Sequence, residues 1–348
     1  MPIAPDHTTS EPTMTTTTRH PLRRPLTLTL LSASLLAASA PALAKELRLG
    51  MITPPQHIWT QTAEKFAESV AERSDDELSV ALFPSGQLGD ESAMFSQMET
   101  GLLDMGIMTA ALTSQREPSI VGWFTPFLFD SVAQAAKATE TEAARLMLDN
   151  LESKGLHAFG YTFAGMRHIL MRDQHVTRAE DVAGKNMRII PFAAMNTWWR
   201  AMDARPTPIS LPDVYQGLQN GMLDGVDIDL DALVGSGFYE VAEYLTLTSH
   251  MAFPAVSVMS QATRASLSEE EREIIDTAMQ EALAWGIEAQ IEAEQRNLAT
   301  LEERIDVYTL EDAEGVFAEA NQAFAERFGD HPLIQAFQQQ AAERLAAE

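Results

Sequence analysis

Not one cysteine occurs in the 348 residues, which excludes a disulfide framework, a thiolate zinc site and a cysteine nucleophile. Positive charge is scarce as well: 24 Lys and Arg face 50 Asp and Glu, a formal net charge of −26, and only five of the basic residues are lysines. Such a chain repels nucleic acid and anionic membrane surfaces, so neither is expected as a partner. It suits salty surroundings, where screening shortens like-charge repulsion. An anionic ligand would need a locally positive pocket. No G-x-S-x-G, H-E-x-x-H, G-x-G-x-x-G or phosphate loop occurs, so the usual hydrolase, zincin, dinucleotide and nucleotide signatures are missing. Beyond residue 44 there are six histidines, His57, His157, His168, His175, His250 and His331, and no two have the helical spacing of metal ligands. His168 and His175 would meet only across a turn. No metal, no cofactor and no catalytic residue is expected, although carboxylates are numerous enough for a glycosidase-like pair to arise by chance.

Long apolar runs are absent with one exception, Leu26–Ala38, which falls short of the ~20 residues that span a bilayer. Arg19, Arg23 and Arg24 precede it, and Ala40-Pro41-Ala42-Leu43-Ala44 follows with a small-x-small ending. Charged, apolar and small-residue segments in that order predict a secretory signal over 1–44, cut after Ala44, and hence a periplasmic protein. Those residues hold three Arg against Asp6 and Glu11, so the remainder carries about −27, 21 basic minus 48 acidic.

At this length two domains are expected. Glu46–Met51 alternates polar and apolar residues as a strand does, Trp59, Ala63, Phe66 and Val70 keep helical spacing, and Leu78–Phe83 is a second strand stopped by Pro84-Ser85-Gly86. A helix with Met94, Met98 and Leu102 on one face and a strand at Met105–Met108 follow, then a helix over 131–154 and a strand at His157–Phe163. This rhythm predicts an α/β fold with a mainly parallel sheet. It resumes after 165 with strands at Ile169–Met171 and Lys185–Ile190 and helices at Met195–Met202 and Asp213–Asn220. In the tail, Ser268 and Glu271 form a capping box, and apolar spacing without proline predicts one helix over 268–303, about 50 Å long. From Glu269 onward 20 acidic residues face 5 basic ones, the pattern of a solvated surface with no binding role of its own.

The chemistry concentrates in the middle. Arg167 and Arg188 each follow or end a strand, where α/β folds bind ligands, and a guanidinium matches a carboxylate fork to fork. Both would equally suit a surface rich in acidic partners.

Phe163-Ala164-Gly165-Met166-Arg167, Glu180–Arg188, Arg205-Pro206-Thr207-Pro208 and Asp213–Gly225, read in order, resemble the solute-binding subunit of TRAP (tripartite ATP-independent periplasmic) transporters. Phe83–Asp90, Gly101–Met105, Phe238–Leu245, Thr248-Ser249-His250 and the long helix fit the same family. The resemblance implies a periplasmic-binding-protein-like fold, two α/β lobes around a cleft with the long helix spanning both. Lobe I would be 45–164 completed by about 254–293, and lobe II 165–253 completed by about 294–348. It implies capture of a small organic carboxylate, of sugar-acid or zwitterionic type, for the integral-membrane subunits of such a transporter, by a protein expected to be a monomer and not an enzyme. Arg188 would pair with the carboxylate and Arg167 would assist.

The sequence departs from the family where many members have Gln-Glu-Asn-Pro after Asp224-Gly225. Here Val226-Asp227-Ile228-Asp229 puts an apolar Ile228 in place of a ligand-reaching Asn. Asp227 would then hold a structural hydrogen bond, or Asp227 or Asp229 would accept ligand hydroxyls or an ammonium. Thr109 and Leu112 stand where sialic-acid binders carry charge, which argues against sialic acid. Phe192 and one of Trp198 and Trp199 are candidates for the pocket wall, with Trp198 preferred. The other functional classes are a ligand-binding partner of a membrane sensor and a secreted hydrolase using a carboxylate pair.

Overall fold

The computed structural model describes residues 45–347; the expected export signal lies outside them. Eleven strands form two sheets. The first contains β1 (Lys45–Gly50), β2 (Leu78–Phe83), β3 (Met105–Thr109), β4 (Leu156–Met166) and β10 (Ala252–Ser260), in the order β2-β1-β3-β10-β4. The second contains β5 (His168–Met171), β6 (Asn186–Ile189), β7 (Arg205–Pro208), β8 (Gly225–Ile228), β9 (Tyr244–Leu247) and β11 (Asp306–Thr309), in the order β11-β9-β5-β8-β6-β7. Every residue of β3 and β10 is buried, as strands covered on both faces must be.

The expected mainly parallel arrangement holds in both sheets, with one strand reversed in each. β1 runs parallel to β2 and β3, β6 to β7 and β8, and β9 to β11, whereas β10 is antiparallel to β3 and β4, and β5 to β8 and β9. The cause is how the chain changes sheets. β4 runs through Arg167 straight into β5, and β9 returns through residues 248–251 into β10, so the two crossings lie side by side and head to tail. Arg167 N–H donates to Met251 O at 2.7 Å, and His250 N–H to Arg167 O at 3.2 Å. β10 carries no sequence signal of its own strength because Pro254 interrupts the apolar run; in the structure Pro254 sits at a register shift against β4.

The helix expected over 131–154 is three pieces, Val132–Ala138, Glu142–Asp149 and a 3-10 turn at Asn150–Lys154. Ser131 and Thr141 each cap a new start by accepting from Gln134 N–H and Ala144 N–H, and a hydroxyl that caps inside a periodic run breaks it in two. The long helix is continuous over Glu269–Glu302, opened by the Ser268–Glu271 capping box. Ile275, Ala278, Ala282, Gly286 and Ala293 form its buried stripe. It packs on β4 and the helix Ile58–Arg73 beside the first sheet, and on the helix Leu230–Gly235 and β11 beside the second. At the C-terminus, Ala318–Phe328 covers the helix Ala193–Arg200, whereas Pro332–Ala346 turns back onto Val132–Ala138 and Glu142–Asp149.

Candidate ligand cleft

The ends of β2 and β3 in the first sheet face the ends of β6 and β7 in the second across a chamber of about 440 Å³. Ile52, Asp90, Glu91, Ser92 and Leu112 line it from one side; Arg188, Ile190 and the turn Pro208–Leu211, with Asp213, line it from the other. Its inner end narrows to a space of about 20 Å³ bounded by Thr53, His57, Thr109, Arg167, Ile228 and Asp229, with Arg188 shared between the two spaces.

Arg188, in β6, is 2% exposed and its Nε–H donates to Ile209 O at 2.9 Å. Among the described residues no carboxylate forms an ion pair with it. Burial, then the like charge of Arg167, push it down to about 9, against the pull of Asp227, Asp229 and Glu91.

Arg167 is placed differently. Its Nε–H donates to Asp227 Oδ1 at 2.6 Å, Nη1–H to Asp229 Oδ2 at 2.8 Å, and Nη2–H to the Asp227 carbonyl. The Phe253 ring lies 4.5 Å from its Cζ. Three of the five N–H groups of this guanidinium are therefore engaged within the protein, and two carboxylates already balance its charge, although it still borders the narrow end of the cleft. Asp227 is wholly buried; its Oδ2 accepts from Trp199 Nε1–H at 2.9 Å and His250 Nε2–H at 3.1 Å. Burial would raise this carboxyl, but Arg167, His250 and Trp199 outweigh it and hold it well below the usual carboxylate range. With both oxygens taken and none facing the cleft, Asp227 is a structural anchor rather than a ligand acceptor. Asp229 accepts from Ala232 N–H at 2.7 Å as the cap of Leu230–Gly235 and stands 3.9 Å from His57 Nε2. Burial pushes its carboxyl up, opposed by Arg167, His57 and that N–H.

Ile228 and Thr109 line the narrow end, but Thr109 is committed to Glu91: its N–H and Oγ1–H donate to the two carboxylate oxygens at 2.6 and 3.0 Å. Trp198 and Phe192 are corrections. Trp198 is fully buried away from the cleft, stacked on His250 at 4.7 Å, and its Nε1–H donates to Asn321 Oδ1 at 2.9 Å. Phe192 packs on Phe124 at 4.7 Å and borders a separate groove with His331 and Ile334. An indole and a phenyl ring on a short helix start bury best against the neighbouring helices, and here Ala318–Phe328 supplies that cover.

Three further residues of the site, Glu91, His57 and Asp231, belong to no recognisable sequence motif. Glu91 is buried on the chamber wall; burial pushes it up to about 7, against Thr109 and Arg188. Its position, opening the helix Glu91–Glu99 just beyond the end of β2, is the sort of strand-end location that already singled out Arg188. His57 and Asp231 join the two sides: Asp231 Oδ2 accepts from Ile58 N–H at 2.8 Å, lies 3.4 Å from His57 Nδ1, and its Oδ1 accepts from Asn297 Nδ2–H at 3.1 Å. The acidic tail is not purely a solvated surface either. Glu294 of the long helix is half-buried, bonded by Gln290 Nε2–H at 3.2 Å, and pushed up to about 8 by desolvation and by Asp229.

Residues 49–329 match the family model of the bacterial extracellular solute-binding proteins, family 7. The chain belongs to this family, the solute-binding subunits of TRAP transporters. Among relatives of this family 7 chain, the 2,3-diketo-L-gulonate-binding periplasmic protein YiaO of Escherichia coli K12 is 30% identical over 263 residues, 74% of this chain and 79% of that one. A TRAP periplasmic solute-binding protein from Sulfitobacter sp. NAS-14.1 with bound β-D-galacturonate is 26% identical at a TM-score of 0.80, covering 85% of this chain and all of that one. One from Polaromonas sp. JS666 bound to D-erythronate is 25% identical at a TM-score of 0.78, covering 84% and 98%. The two-sheet α/β architecture bridged by a long helix is thus the family 7 fold.

Proposed function

We propose that this TRAP solute-binding protein is exported to the periplasm, captures a small hydroxylated organic carboxylate of the sugar-acid type, and passes it unchanged to the membrane subunits of its transporter. The observation that carries this is Arg188: a buried guanidinium on the cleft wall whose only hydrogen-bond partner among the described residues is a carbonyl oxygen. Keeping a cation out of water without a counter-ion is costly, and a bound carboxylate removes that cost. Glu91, Ser92, Ser210 and Asp213 supply the acceptors that sugar hydroxyls need. The relatives named above, which carry galacturonate, erythronate and diketogulonate in their descriptions, favour the same class. The two sheets would belong to lobes of 45–164 with 254–293 and of 165–253 with 294–348, closing as a monomer by rotation about the paired crossings at Arg167 and His250. No second reading, sensor or hydrolase, is favoured by a specific feature of the cleft.

The test is a thermal-shift screen over uronates and aldonates, followed by recovery of the bound solute intact. Arg188→Ala should abolish nearly all ligand-induced stabilisation, because losing one partner of a buried charged pair costs about 2–5 kcal/mol. Normal binding by that variant would overturn the assignment.

A further inference from the structure

Two buried guanidinium groups on one wall would ordinarily suit a dicarboxylate. Arg167 and Arg188 are near enough for the charge of Arg167 to depress Arg188, and both border the narrow end of the cleft. They differ in what they have left to offer. Arg188 has a backbone carbonyl on Nε and nothing anionic within ion-pairing distance among the described residues. Arg167 has Asp227 on Nε, the Asp227 carbonyl on Nη2 and Asp229 on Nη1. Of its two acidic partners, only Asp229 borders the cleft.

Resting on the carboxylate reading of the cleft, we infer that Asp229 sets the charge of the solute: by pairing with Arg167 on its cleft side it leaves Arg188 as the one cleft guanidinium, among the described residues, whose charge no carboxylate balances, so the protein takes monoanions and rejects dianions. Asp229 is not free to swing aside, because its other oxygen caps the helix Leu230–Gly235 through Ala232 N–H. Ile228, beside it, offers no donor to a second anionic group. The outer chamber is no refuge for such a group either, since Asp90, Glu91 and Asp213 border it. A second carboxylate would have to displace Asp229 or lie against these acids, and like charges brought together at a desolvated contact weaken binding steeply. Hydroxyl groups at the same positions meet acceptors instead.

The experiment uses matched pairs that differ only in a terminal carboxylate: D-gluconate with D-glucarate, D-galactonate with D-galactarate, and D-erythronate with the corresponding tartrate, with Kd measured by calorimetry at pH 7.5. The wild-type protein is expected to bind the monoanion of its preferred pair at least about tenfold more tightly than the dianion. Asp229→Asn retains an oxygen for Ala232 N–H and removes only the charge, so it should narrow that ratio by about tenfold, chiefly by improving the dianion. Should the Asn variant fail to fold, Asp229→Ser, another capping residue, carries the same comparison, and the wild-type ratio stands as a test by itself. Equal wild-type affinity for both members of a pair, or a variant that changes both alike, overturns the inference. Arg188→Ala separates this from the underlying reading. If it abolishes binding of both members, carboxylate capture stands whatever Asp229→Asn does; if it binds both, or if the wild type binds no member of any pair, that reading itself fails.

Discussion

Glu294, on the long helix, leans on Gly165 so closely that a Cβ added to Gly165 would collide with its Oε1. Gly165 has φ +131, and it lies in the last turn of the path by which β4 leaves the first sheet. Gln290 and Glu294 of the long helix grip this point from outside: Gln290 Nε2–H donates to Ala164 O at 2.9 Å and to Glu294 at 3.2 Å. The helix is therefore fastened to the crossing itself, next to the Arg167–Asp229 pair.

Gly165→Ala should cost about 1–3 kcal/mol of stability, since it combines a backbone conformation that side chains rarely adopt with a collision against the half-buried Glu294 carboxyl. Urea denaturation of the variant would show it as a lower midpoint at an unchanged slope.

Glu294 predicts a specific pH dependence of folding. Its carboxyl is pushed from the usual 4.5 up to about 8 in the folded protein, so the neutral form favours the fold. The stabilisation is complete below about pH 4.5 and is lost as pH rises through about 8. Glu294→Gln should match wild type near pH 5 and melt higher near pH 9, by roughly 2 °C for each kcal/mol removed. Melting curves at the two pH values check this; a variant that is equally shifted at both would contradict it.

Glu91 makes the parallel prediction for binding. At about 7 it is neutral in mild acid and anionic above, and when anionic it faces the solute carboxylate beside Arg188. Affinity should fall as pH rises past 7, no more steeply than about tenfold per pH unit, the limit for one linked proton. Glu91→Gln should flatten the profile while keeping an acceptor for Thr109 N–H, as calorimetry from pH 6 to 8.5 would reveal.

Trp198→Phe should lower the melting temperature without changing ligand affinity. It removes the bond to Asn321 at 2.9 Å and part of the stack on His250, at a cost of about 1–3 kcal/mol, but leaves the cleft wall untouched. A weakened Kd in a folded variant would return Trp198 to the site.

Much of the scaffold was legible because local patterns and tertiary packing agree. The capping box at Ser268 starts the long helix where expected, and Leu47 and Leu49 are buried while Glu46 and the intervening Arg48 are not, as the alternation of the first strand requires. The strand-end location of Arg188 was readable for the same reason. The failures share a cause: each depended on a partner distant in the chain. β10 is a strand because β3 and β4 flank it, despite Pro254. Trp198 is core because the helix Ala318–Phe328, more than a hundred residues later, covers it.

What the sequence determined by itself is the family, the two-sheet α/β plan and the arginine at the end of β6, since periodicity, caps and ordered motifs are local properties. Tertiary structure alone decided the electrostatics of the cleft. Whether a guanidinium is available depends on which carboxylates come within about 3 Å of it, and Asp227 and Asp229 reach Arg167 from sixty residues away while, among the described residues, none reaches Arg188. Two arginines alike in sequence are thereby placed differently, one paired with two carboxylates at the crossing and one on the cleft wall with no carboxylate partner among the described residues.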